Sequence, residues 1–196
     1  MTSVAPKSAA PARRAVSALA LKLWETQEAL DNRVEQPAEV LDLLLMALGK
    51  GEDTAEAWDK LHESVVRNGQ VADLALAYEH VASDKRVKLM QPEHQAHLHL
   101  RTAWFFAEVL GDAQGAVAGA ERAIAAVPAH QEAFTLLEEL LASPEGASRL
   151  ARHYYEASQR SGTPAARLPL LRRAAELLAA DRGSGELAVE VEREKL

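Results

Sequence analysis

The sequence contains no cysteine and few aromatic residues. Without cysteine, the chain cannot form disulfide bonds, thiolate metal sites or a cysteine nucleophile. Phe, Tyr and Trp occur three times each, and large β-sheets need aromatic and β-branched residues, so β-sandwiches and β-barrels are not expected. No apolar run reaches the roughly 18 residues that a transmembrane helix needs, so no membrane span is predicted.

What the chain has instead is helix-forming residues. Ala and Leu supply 67 of the 196 residues, and both lose little conformational freedom in a helix. Gly and Pro divide the chain at regular intervals, and apolar residues recur three and four positions apart between these breaks. An all-α fold is therefore predicted. Its nine or ten helices are expected at 15–33, 37–48, 54–68, 71–83, 93–110, 113–127, 130–142, 145–161, 165–181 and 186–195, with a long loop at 83–94.

Charge is unevenly distributed along the chain, which has a net charge of −7. Residues 24–63 carry 11 acidic side chains against 3 basic ones. Residues 146–175 carry six arginines against the single acid Glu156. A nucleic-acid-binding protein normally presents a net basic surface, so this balance makes nucleic acid the less favoured partner.

The first residues form a basic segment without acids. Residues 1–23 contain four basic side chains and are rich in Ala, Ser and Pro, a composition also typical of transit peptides. The apolar stretch 15–21 is broken by Lys22 and continues into an amphipathic segment, which a cleaved signal would not do. We therefore expect a flexible basic tail over residues 1–14, dispensable for folding, and a cytoplasmic chain.

Part of the sequence repeats with a period of 76 residues. Seven identities link residues 56–79 with residues 132–155. The most informative pairs are aromatic, because alanine-rich helices align with each other easily. Trp58 corresponds to Phe134, and Tyr78 corresponds to Tyr154. A period that contains four helices indicates two helical hairpins, with Trp58 and Phe134 as core anchors.

One segment resembles a known repeat. Gly111 and Asp112 stand at a turn, small residues follow along the next helix, and Pro128 closes the unit. This pattern is similar to the second half of a tetratricopeptide repeat (TPR). The small residues are Ala116, Ala120 and Ala123; residues 55–86 resemble the repeat through Trp58, Leu61, Gly69, Leu74 and Tyr78, and residues 131–162 through Phe134, Leu137, Leu150, Tyr154 and Ala157.

The resemblance implies both an architecture and a type of function. Residues 15–196 would form a right-handed α-solenoid of antiparallel hairpins, with four hairpins and a partial fifth. Such arrays act as scaffolds or adaptors that bind other proteins in a concave groove. The partial last repeat is expected to mean either a fragment of a longer array or a repeat that a second copy of the chain completes, giving a homo-oligomer.

By analogy with the family, the groove would be lined by exposed residues on the first helix of each hairpin. These residues are Glu56, Asp59, Glu63, Arg101, Phe105, Glu108, Glu132 and Glu139. Family members that grip a terminal carboxylate use basic residues there, so the acids at Asp59 and Glu63 argue against that subtype. We expect the groove to capture a basic, partly apolar segment of a partner protein. Phe105 would supply affinity, and the acids would make binding salt-sensitive.

Six arginines near the end of the chain offer an alternative interface. They are Arg149, Arg152, Arg160, Arg167, Arg172 and Arg173. Such a cluster could dock an acidic protein or RNA phosphates, or it could cover apolar surface and keep the end of the array in solution. The only aromatic residues nearby are Tyr154 and Tyr155, whereas single-stranded RNA usually stacks on several. A regulatory or assembly subunit of an enzyme complex is a further alternative.

Catalytic and metal chemistry find little support in the sequence. No P-loop, GxGxxG, GxSxG or HExxH motif is present. His94 and His97 have the spacing of two zinc ligands on one helix face, but His99 lies off that face and no third ligand is evident. An open groove also lacks the enclosed pocket that catalysis needs. We therefore expect no enzymatic activity, no metal and no cofactor.

Overall fold

A computed structural model describes residues 37–51 and 54–180, together with Val191 and Arg193. All regular elements of these residues are helical, which confirms the all-α prediction for this part of the chain. The elements are α1 (Pro37–Gly49), α2 (Ala55–Arg67), α3 (Val71–Ala82), α4 (Lys85–Lys88), α5 (Pro92–Trp104), a π-helical turn (Phe105–Val109), α6 (Ala113–Ala126), α7 (Gln131–Leu140), α8 (Pro144–Arg160) and α9 (Pro164–Ala180). No helix among them has the length and apolar character needed to cross a membrane.

Most helix ends lie within one or two residues of the predicted ones, because Gly, Pro and capping residues mark them. Asp112 accepts hydrogen bonds from the backbone N–H groups of Gln114 and Gly115 at the start of α6. Ser143 caps α8 in the same way, just before Pro144. The predicted tail 1–14 and helix 15–33 lie outside the described residues, as does 186–195 apart from Val191 and Arg193.

Two compact units divide the chain, with the boundary between His94 and Gln95 in the first turn of α5. In the first unit, α1 packs against both α2 and α3. The turn between α2 and α3 contains Gly69, whose φ of 68° is a left-handed conformation that favours glycine. The core of this unit is mainly aliphatic around two aromatic rings; its members include Leu41, Leu44, Trp58, Leu61, Val65, Leu74 and Tyr78.

The second unit contains the π turn and helices α6 to α9. Helix α6 packs against the π turn and α7, and α8 packs extensively against α9. Gly119 of α6 is buried so close to α5 that an added Cβ would lie 2.9 Å from the Ala103 Cα atom. Small residues therefore allow α5 and α6 to approach closely. Their core is continuous with that of the following helices and includes Leu100, Ala120, Ile124, Phe134, Leu137, Leu150, Tyr154 and Leu171.

The 76-residue repeat is visible as two equivalent sets of side-chain contacts, one in each unit. The Trp58 and Tyr78 rings stack with centroids 6.0 Å apart, and the Tyr78 hydroxyl lies 2.7 Å from the His62 Nε2 atom. The corresponding Phe134 and Tyr154 rings stack at 4.0 Å. The Tyr154 hydroxyl donates to the carboxylate of Glu138, which occupies the position equivalent to His62. Sequence periodicity and packing therefore agree, and both predicted core anchors are confirmed: Trp58 is 0% and Phe134 4% exposed.

Two local features differ from the predicted elements. The predicted loop 83–94 contains the single turn α4, because the Asp84 carboxylate accepts a hydrogen bond from the backbone N–H of Arg86 and pairs with its guanidinium group. The predicted helix 93–110 ends in a π turn, in which the N–H group of Leu110 donates to the carbonyl of Phe105 five residues earlier. The π turn has no clear sequence signal, since it depends on packing, whereas α4 has a local one in the capping residue Asp84.

Candidate functional site

The second unit contains a pocket of about 300 Å³ that brings together three of the predicted groove residues. These are Glu108, Glu132 and Glu139, and all three are exposed. Trp104, Thr135 and Leu136 complete the lining. The pocket therefore combines an acidic rim with an indole ring and a buried leucine.

Two helical segments supply these side chains. Glu132, Thr135, Leu136 and Glu139 recur at the three- and four-residue spacing that places them on one face of α7. Trp104 ends α5, and Glu108 follows one turn later in the π segment. Leu136 is only 7% exposed, so it anchors α7 in the core while its neighbours remain accessible. The pocket is thus placed on packed helices rather than on a loop.

The three pocket glutamates are unneutralised. Among the described residues, none of Glu108, Glu132 and Glu139 forms an ion pair or a hydrogen bond through its carboxylate. Other acids of this unit do: Glu121 contacts Arg149 at 2.9 Å, and Glu138 contacts Arg173 at 2.7 Å. Negative potential is therefore left over at the pocket, which favours a cationic ligand.

Among the residues that the structure describes, no group of three His, Asp or Glu side chains could hold a metal ion. The three histidines that invited a metal hypothesis also differ in their surroundings. His94 and His97 are partly buried, whereas His99 is 8% exposed within α5. Burial, reinforced by Arg122, lowers the pKa of His99 to about 4, so its imidazole is neutral at pH 7.

The prediction that Phe105 contributes groove surface is wrong. Phe105 is 1% exposed and packs edge-to-face on Phe106, with ring centroids 6.2 Å apart. Helical spacing from Arg101 places position 105 on the accessible face, but three consecutive aromatic residues compete for the core here. The π turn turns both phenylalanine rings inward, because burying each large apolar ring is worth roughly 1.5–3 kcal/mol.

Trp104, which is not among the residues predicted for the groove, lines the pocket where Phe105 was expected. Its ring is partly buried against the core. The guanidinium carbon of Arg101, one of the predicted groove residues, lies 5.8 Å from the centroid of this ring. That distance is within the range of a cation–π contact. The Trp-Phe-Phe sequence at 104–106 indicates that an aromatic ring lies near the groove, but it does not indicate which of the three rings faces outward.

The remaining predicted groove residues belong to the first unit. Glu56, Asp59 and Glu63 are all exposed on α2. Glu56 forms an ion pair with Lys60 of the same helix at 3.3 Å, and the lysine partly offsets the negative potential of the Glu56 carboxylate. Their expected role in binding stays a prediction.

The arginines of the basic patch differ in how far they are neutralised. Arg173 contacts both Glu138 and Glu176, and Arg149 contacts Glu121. Arg167 is partly buried, with its Nε atom covered. Arg152, Arg160 and Arg172 are exposed. The net positive charge of 146–175 therefore overstates the basic surface, because acids on α6 and α7 pair with part of it.

Comparisons with family models, with curated proteins and with solved structures find no match to this chain.

Proposed function

We propose that this chain is a non-enzymatic, TPR-like protein-binding module that captures a basic, partly apolar segment of a partner protein. The observation that carries the proposal is the pocket of the second unit, in which three unpaired glutamates surround Trp104 and Leu136. The acids attract and select a basic segment, and the apolar pair provides contact area.

The exposure of the pocket favours binding over catalysis. General acids and bases usually work in desolvated sites, where burial adjusts their pKa values to the reaction. All three pocket glutamates are instead exposed to water. Exposed charges contribute only about 0.2–1 kcal/mol each to a complex, but they accelerate association and discriminate against acidic partners.

The repeat supports the architectural part of the proposal. The Trp58–Tyr78 and Phe134–Tyr154 pairs have equivalent places in two hairpins. Gly119 lies against Ala103, so small residues also allow close packing between α5 and α6. In such modules, binding surfaces lie on the first helices of successive hairpins, which here would be α5 and α7.

A peptide-binding measurement tests the function. The probe is a fluorescein-labelled synthetic peptide in which Arg, Lys and Leu alternate with Gly, followed by fluorescence anisotropy at low and at physiological salt. We expect binding that weakens as salt increases, because the acids act through screened electrostatics. A peptide with Glu in place of the basic residues should not bind.

Charge reversal locates the binding site. Glu132→Lys and Glu139→Lys should each weaken peptide binding at low salt while leaving the far-ultraviolet circular dichroism spectrum unchanged. The matched control is Glu79→Lys, which makes the same charge change at an exposed position of α3. If Glu132→Lys and Glu79→Lys have equal effects, or if a single-stranded RNA binds more tightly than the peptide, the proposed function is wrong.

A further inference from the structure

The indole of the pocket is already in contact with a guanidinium group. Arg101 lies one turn before Trp104, and its guanidinium carbon is 5.8 Å from the ring centroid. Aromatic rings attract cations through their negative faces, and tryptophan does so most strongly. One cation of the chain itself thus uses the ring, and because Trp104 lines the pocket and is only partly buried, ring surface remains for a cation from outside.

The pocket has the size for one side chain. Its volume of about 300 Å³ lies at the lower end of the roughly 300–1,000 Å³ that is usual for ligand sites. Glu108 contributes a carboxylate from the π turn, and Glu132 and Glu139 contribute carboxylates from α7. Leu136 and the Thr135 methyl group offer apolar surface for an aliphatic stem. A long cationic side chain matches this combination.

Arginine and lysine differ in how well they would use such a pocket. The guanidinium group is planar and weakly hydrated, stacks on aromatic rings, and donates two parallel hydrogen bonds to a carboxylate. The ammonium group of lysine is a compact, strongly hydrated charge, so it gains less from an indole and loses more when water is removed. Both cations would be attracted by the acidic rim, but the indole favours the guanidinium.

We infer that the pocket between Trp104, Glu108 and α7 selects an arginine side chain of the partner segment over a lysine side chain. The inference rests on the proposed function, since it names the residue that the pocket would receive. Glu132 and Glu139 bind the guanidinium group, and Trp104 provides the preference over lysine. The occupant is thus an arginine in an exposed segment of another protein.

The experiment follows the indole N–H signals of the ¹⁵N-tryptophan-labelled full chain by nuclear magnetic resonance. Trp104→Phe identifies the Trp104 signal, and the signal of the fully buried Trp58 serves as an internal control. The chain is titrated with N-acetyl-arginine methylamide, with the lysine analogue, and with the citrulline analogue, which has the shape of arginine without its charge. We expect the Trp104 signal to shift with arginine, with at least about fivefold weaker binding of lysine. Citrulline should cause no saturable shift.

Variants separate the two contributions. Glu132→Gln should weaken the binding of both the arginine and the lysine analogue. Trp104→Leu should instead remove the preference for arginine and bring the two dissociation constants within about twofold of each other. Equal affinities for arginine and lysine in the unmodified chain, or a saturable shift with citrulline, would overturn the inference. If Glu132→Lys still weakens peptide binding in that case, the proposed function stands without the preference for arginine. If neither cation shifts the Trp104 signal and Glu132→Lys leaves peptide binding unchanged, both the proposed function and this inference are wrong.

Discussion

At the scale of single residues, the most informative contacts are the two aromatic pairs. Each pair links two helices, and the tyrosine hydroxyl bonds to a polar side chain on the first helix. In the second unit, burial raises the pKa of Tyr154, and the adjacent Glu138 carboxylate raises it further. Tyr154 therefore remains a hydrogen-bond donor to Glu138 throughout the ordinary pH range. Each ring pair therefore holds two consecutive helices in contact.

Truncating either anchor should leave a cavity. Trp58→Ala and Phe134→Ala are each expected to lower the free energy of unfolding by about 3–5 kcal/mol, because both rings are buried and neither site can collapse freely. Urea denaturation followed by circular dichroism measures the loss. Leu89→Ala is the control: because Leu89 is 87% exposed, this change should lower the free energy of unfolding only slightly. A loss below about 1 kcal/mol at Trp58 or Phe134 would contradict the assigned core role.

His99 should make the fold sensitive to acid. Its pKa falls from about 6.5 in an unfolded chain to about 4 in the folded one, so between these values unfolding takes up a proton. Stability should therefore be lost as pH decreases from about 6.5 toward 4, by at most roughly 3 kcal/mol from this group. The measurement is the free energy of unfolding against pH. His99→Gln should flatten the dependence, whereas the exposed control His80→Gln should not.

One result of this measurement would contradict the role assigned to His99. If His99→Gln and the unmodified chain lose stability with the same slope between pH 6.5 and 4, the buried imidazole does not cause the dependence. His153 would then be the next group to replace, because burial lowers its pKa in the same direction.

At the scale of elements, helix contacts depend on residues with little or no side chain. A Cβ on Gly119 would lie 2.8 Å from the Cβ of Ala103 and close to its backbone, so α5 and α6 would have to separate. Gly119→Ala should therefore destabilise the chain by about 1–3 kcal/mol, although alanine is the better helix former.

Gly162→Ala is the matched control, because an added Cβ there meets no atom within 4 Å. This control should change stability by less than about 1 kcal/mol, and in the stabilising direction. Thermal unfolding of both variants provides the comparison. Equal melting temperatures for the two would show that α5 and α6 do not need the close contact.

Helix bounds are the features of the fold that the sequence predicts most accurately. Apolar spacing and the Gly and Pro breaks set most helix bounds, because periodicity and capping are local properties that a sequence carries directly. The single turn α4 is too short for an apolar period to reveal, although Asp84 marks its start, and the π turn depends on which neighbouring side chains are buried. The same limit affected the candidate site. Helical spacing is enough to predict Glu108, Glu132 and Glu139 at the site. It does not predict that Trp104 lines the pocket while Phe105 is buried, because that depends on packing.

At the scale of the whole molecule, the division into two compact units makes a prediction about autonomy. The second unit has a continuous core that runs from α5 to α9. We expect a fragment of residues 91–196, which keeps α5 intact, to fold alone and to unfold cooperatively on heating. Circular dichroism and the dispersion of amide proton signals measure this. A fragment without cooperative unfolding would show that the second unit depends on the first.

The distribution of charge also belongs to this scale. The net charge of −7 and the basic composition of 146–175 suggest separate acidic and basic surfaces. Ion pairs between α8 and α6 and between α9 and α7 neutralise part of the basic segment. Only the folded chain shows which acids remain unpaired, since pairing across helices leaves no local pattern in the sequence.

The π turn also makes the pocket depend on the number of residues in this segment. A turn closed by a bond from Leu110 to Phe105 holds one residue more than an α-helical turn. Deleting Ala107 would remove that extra residue and change the angle around the helix axis at which Glu108 follows Trp104. The position of the Glu108 carboxylate at the pocket is therefore set by chain length as well as by residue type.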